Sequence, residues 1–238
     1  MKALKLLIGV LLLPACAALT LTAWHMARQL SLGQVLTDST LWAFVAGYAL
    51  WLAVFVFLPK PMRTYVLGHE LTHALWALMM GARVGGLKVK KTGGQVRTSK
   101  TNWFIALAPY FFPFYAMLFI ALFFIAHAIW NLDRYMWVLF SLVGLGWSFH
   151  VTFTLMMLLA VKQSDVSSQG ALFSAVAIYC MNLLVMALTV AALSRSVTLA
   201  DLARTLGSAL VAAYGWSLDK LAVLWHHAAA FVRHAQRR

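Results

Sequence analysis

Residues 41–58 read LWAFVAGYALWLAVFVFL, eighteen positions without a charged side chain. A helix of that length rises about 27 Å, close to the roughly 30 Å hydrocarbon thickness of a bilayer. Pro59 and Pro61 close the run, because proline removes amide donors and restricts the residue before it. Four further apolar stretches, 4–26, 103–129, 135–161 and 171–193, are long enough to be read the same way. Composition agrees: 63% of the 238 residues are hydrophobic and only 11% charged, outside the range of soluble domains.

The reading is therefore an all-α polytopic membrane protein of about five to six apolar helices. Its membrane-embedded domain covers 1–193, and a basic amphipathic segment, 194–238, is expected to lie at the interface as a C-terminal helix. The first stretch carries small residues at Pro14 to Ala17 that suit signal cleavage. Its apolar character persists to Trp24, past the length of a signal core, which favours a retained helix. Cys16 and Cys180 sit inside apolar runs and read as small hydrophobes. Pro109 and Pro113 are expected to kink the 103–129 span.

Nineteen Lys and Arg against six Asp and Glu give a net charge of +13. In a soluble chain that surplus would suggest nucleic acid. Here the bases lie between and after apolar runs, as in cytoplasmic loops, so no nucleic-acid partner is expected and the lipid bilayer is. The loop 83–100 holds six bases and no acid, which places it on the cytoplasmic side. Counting back from it sets Lys2 and Lys5 outside, against the same rule. Either the N-terminal run is cleaved or the helix before the loop is re-entrant. A bacterial inner membrane is the expected location, with the polar centre described next nearer the cytoplasmic face.

That centre is Gly68-His69-Glu70-Leu71-Thr72-His73, on a helix expected over 63–80 and stopped by Gly81. At about 100° per residue, His69 and His73 lie within roughly 40° of each other and can point at one ion. Glu70, the only glutamate, flanks them and can act as general base on a zinc-bound water, whose pKa the ion lowers to about 7. A His-Glu-His set costs too much in an apolar helix to arise idly. After Gly81, paired glycines and the alternation Leu87-Lys88-Val89-Lys90 predict a short β-hairpin. Its edge is suited to pairing with an extended peptide.

The run Tyr65 to Leu75 around this motif, the Gly81-Ala82-Arg83-Val84 opening of the hairpin and the kinked helix beyond it resemble the site-2 protease family of intramembrane zinc metalloproteases. The resemblance covers roughly 41–193, and only the first motif is specific. It implies zinc on His69 and His73, water activation by Glu70, a hairpin near the substrate, and a membrane-protein substrate. The family's third ligand is an aspartate from an Asn-Pro-x-x-Asp-Gly motif, which this chain lacks. Asp165, in the polar break 162–170, is the nearest analogue. Depth along the helices favours His150 instead. We assign Asp165 as the third ligand, with His150 as alternative ligand or transition-state residue.

Other polar groups read as structural. His25 and His127 sit near helix ends, and Asp133 pairs with Arg134 in a turn. Asn102 and Pro109 open the helix after the hairpin, either to bind an extended substrate strand or as a helix cap and a kink. His226, His227 and His234 belong to a basic tail suited to lipid headgroups. The expected function is an intramembrane zinc metalloendopeptidase cutting in or near a transmembrane segment of another protein. The alternative is a non-catalytic membrane assembly or binding protein with a structural metal site. Oligomeric state, substrate and cleaved bond are not encoded legibly.

Overall fold

Proline positions set the breaks in this chain. In the computed structural model, which describes residues 2–29, 39–193 and 197–235, every proline lies at or beside a helix end or a turn. Asp38, residues 194–196 at the expected domain boundary, residues 236–238 and the His234 side chain fall outside what is described.

The 4–26 stretch, expected as one helix, forms two. Helix α1 (Lys2–Leu11) and helix α2 (Leu13–Gln29) meet at 40°. Pro14 takes the first turn of α2, where a missing N–H costs nothing. Helix α3 (Ser39–Phe57) follows. Pro61 then begins helix α4 (Met62–Met79), the motif helix, which ends before Gly81 with φ +71°, a conformation that favours glycine.

The hairpin forms as expected from its alternation. Strand β1 (Val84–Lys90) pairs antiparallel with β2 (Gly93–Thr98) in the register Leu87 to Val96 and Val89 to Gly94. Both strands pack on α4.

The kink in 103–129 is far sharper than a bend in one span. Helix α5 (Trp103–Leu107) runs into a 3₁₀ turn (Ala108–Tyr110), and helix α6 (Phe114–Ile129) leaves at 85° to it. Pro109 starts the turn, and Pro113, without an N–H, prevents helix from continuing through it. Then come α7 (Met136–Ala160), short α8 (Ser164–Gln169) within the polar break, α9 (Ala171–Leu193) and α10 (Leu199–Ala235).

Among the described residues, three helices are long and apolar enough to cross a membrane, Ser39–Phe57, Asp133–Ala160 and Ala171–Ala192. There are five if each bent pair counts as one span. The motif helix α4 is not among them. The described chain is thus mostly helical, with three to five helices long and apolar enough to cross a membrane and one small hairpin.

Two seams position the site. Helices α3 and α7 cross almost backbone to backbone: a Cβ on Gly47 would stand 1.9 Å from the Ser141 carbonyl oxygen, and one on Gly144 would stand 2.0 Å from that of Phe44. Only glycine permits that approach. Next to this seam, Trp51 of α3, Tyr65 and Val66 of α4, and Phe149 and Phe153 of α7 share one buried cluster. On the other side, Leu107, Tyr110 and Phe111 of the broken segment pack on Phe173, Ala177 and Ile178 of α9. Helix α10 packs along α2.

Candidate metal centre

One helical turn separates His69 from His73, and the two rings stand edge to face with centroids 4.9 Å apart. Asp165, carried by α8 from a point almost a hundred residues later in the chain, completes the group. Its Oδ2 lies 3.6 Å from Nε2 of His69 and 3.6 Å from Nε2 of His73. One donor atom from each of the three side chains falls within 4.8 Å of the others. The imidazoles are 11% and 12% exposed and the carboxylate 30%, so the site is sheltered yet open on one side.

Burial works against the charge on Asp165, but the two imidazoles beside its Oδ2 outweigh it and hold the carboxyl well below the usual carboxylate range. The third position is therefore anionic.

The remaining imidazole nitrogens are also placed. The Ile105 carbonyl stands 2.8 Å from His73 Nδ1, so Nδ1–H donates to it and Nε2 is left free to offer a lone pair to a cation. His69 Nδ1 has the Tyr65 hydroxyl 3.4 Å away. Two neutral imidazole nitrogens and one carboxylate oxygen make a borderline donor set of the kind that holds zinc. Tetrahedral ligands about 2.0–2.1 Å from such an ion stand roughly 3.4 Å apart. The two 3.6 Å separations come within a few tenths of an ångström of that value and the whole donor group lies within 4.8 Å, so the three side chains could hold a metal ion.

Glu70 is 7% exposed and lies beneath the hairpin. A Cβ on Gly94 would be 2.5 Å from Glu70 Cγ and 2.8 Å from Oε1, so the strand rests its backbone directly on this side chain. Between β2 and the histidines opens a cleft of about 460 Å³, bounded by Glu70, His73, Gly94, Val96, Gln163 and Asp165.

His150 stands apart from the three-residue group. It is 8% exposed, and its Nε2 lies 3.1 Å from Asn182 Oδ1. It borders, with His69, a separate cavity of about 20 Å³, the size of one water. Asn102 caps α5, accepting from the Ile105 amide at 2.9 Å. Asp133 does not pair with Arg134 as expected. Its Oδ1 is 3.8 Å from His127 Nε2, while the Arg134 guanidinium lies over the Tyr135 ring. His25, His226 and His227 are exposed.

Sequence reasoning passed over four contributors: Tyr110, Asn182, Gly94 and the Ile105 carbonyl. Asn182 alone carried a signal, as the one amide in the 171–193 run. No family model, curated protein or solved structure matches this chain, so the site stands on its own geometry.

Proposed function

We propose that this protein is an intramembrane zinc metalloendopeptidase that hydrolyses peptide bonds in or near a transmembrane segment of another membrane protein. The observation that carries the reading is the gathering of His69, His73 and Asp165 beside Glu70 on the wall of an open cleft. When bound, zinc supplies Lewis-acid polarisation of a carbonyl and of a water. Glu70 takes the proton of the attacking water and returns it to the leaving amine. Its low exposure keeps that carboxyl away from bulk solvent. Strand β2 forms one wall of the cleft, where an unwound peptide can lie alongside it.

The openness favours catalysis over structural metal binding, since structural sites are closed on all sides by protein ligands. The basic loop around the hairpin favours a cytoplasmic-facing cleft in a bacterial inner membrane. The test is metal analysis of the purified full-length protein, followed by cleavage assays on a panel of single-span reporter proteins in proteoliposomes. Zinc in the wild type, with reporter cleavage lost in Glu70→Gln but zinc retained, supports the reading. Cleavage by Glu70→Gln equal to wild type removes it, and zinc without any cleavage in either form favours the non-catalytic assembly protein.

A further inference from the structure

All three candidate ligands touch one short segment, Trp103–Tyr110. The Ile105 carbonyl accepts from His73 Nδ1. The Tyr110 ring stands edge-on to the His69 ring at 5.2 Å, and its hydroxyl donates to Asp165 Oδ2 at 3.2 Å, the same oxygen that faces both imidazoles. Gln163 Oε1, at 3.3 Å, competes for that one hydrogen.

The segment does not hold itself in place. A carbonyl at Tyr110 would ordinarily accept from a residue three or four further on. Pro113 has no N–H, and the Phe114 amide donates to Phe112 instead. Asn182 of α9 supplies the missing donor, its Nδ2 reaching the Tyr110 carbonyl at 2.8 Å and the Ile178 carbonyl at 2.9 Å. With both amide hydrogens on carbonyls, the orientation of the Asn182 group is fixed and Oδ1 faces His150. An amide oxygen only accepts, so His150 Nε2 carries a hydrogen and donates to it at 3.1 Å. Two polar side chains thus lie inside spans α7 and α9, where each is costly, Asn182 serving a carbonyl that the proline break left without its usual helical donor and His150 bonding Asn182 from behind.

We infer that Tyr110 is a positioning residue for the metal centre, held by Asn182 and, behind it, His150. The inference rests on the metal reading of His69, His73 and Asp165 and adds what keeps Asp165 in range. His150 then acts on the site through Asn182 and the Tyr110 backbone rather than as a ligand.

The test uses the full-length protein in detergent with Co2+ as probe, because its visible spectrum reports ligand geometry. Tyr110→Phe keeps the ring and its packing and removes only the hydroxyl. It is expected to weaken Co2+ affinity about 10- to 100-fold and to alter the absorption bands, with the thermal midpoint in chelator unchanged. Asn182→Ala is expected to do the same to a lesser degree, and Asn182→Gln to recover part of the loss. A Tyr110→Phe protein with wild-type affinity and an unaltered spectrum overturns the inference while leaving the metal reading intact. A wild type that takes up no Co2+ overturns both.

Discussion

Two His–Asp contacts in this protein look alike by distance and differ in everything else. At the candidate centre, His73 Nε2 is 3.6 Å from Asp165; at the turn before α7, His127 Nε2 is 3.8 Å from Asp133. The partner of the other ring nitrogen separates them. His73 Nδ1 faces the Ile105 carbonyl, which can only accept, so Nδ1 holds the hydrogen and Nε2 is available to a cation. His127 Nδ1 faces the Leu132 amide, which can only donate at 3.1 Å, so Nδ1 is the acceptor and Nε2 holds the hydrogen. The first ring is arranged as a ligand. The second ties off a turn, with Asp133 76% exposed to dilute any charge effect. The backbone atom behind an imidazole says more about its role than the carboxylate in front.

This contrast is most easily broken by removing the rings. His73→Ala or His69→Ala is expected to lower zinc affinity by more than about 100-fold, read by metal analysis after dialysis. Loss of zinc on His127→Ala would show that distance alone had been enough. Asp165→Ala should follow the histidine variants, and retention of zinc there would return the third position to His150. Glu70→Gln sharpens the division between holding an ion and using it: reporter cleavage is expected to fall about 100-fold or more while metal content stays at the wild-type level. Gly94→Ala probes the strand above. The added methyl must displace Glu70 or the hairpin, and about a tenfold loss of cleavage with unchanged metal content is the expected result. Smallest of all, His127→Ala is expected to change thermal stability by no more than about 1 kcal/mol and zinc content not at all.

What could be read from the sequence follows the range of each interaction. His69, Glu70 and His73 are local, since a helix brings i and i+4 together whatever surrounds it. The hairpin is equally local, written in the alternation around Lys88 and the glycines at 93 and 94. The breaks at Pro109 and Pro113 were legible as a kink, but proline fixes where a helix stops and not which way the chain leaves, so the 85° turn came from packing against α9. The split between α1 and α2 was missed because hydropathy runs straight across Leu12. Asp165 was named by analogy, and only tertiary structure brings α8 to α4. Tyr110 gave no sign at all. It is one aromatic among many, and its importance lies in a carbonyl that no periodicity describes.

The crossing of α3 and α7 has a consequence for where the candidate site sits. With carbonyl oxygens lodged where Gly47 and Gly144 have no side chain, neither helix can slide along the other without a clash, and the pair is held as a single plank. The motif helix hangs from the end of that plank by the few residues between Phe57 and Met62 and is pressed to its side through Trp51, Phe149 and Phe153. The placing of His69 and His73 is thus inherited in part from two glycines that lie outside the candidate centre.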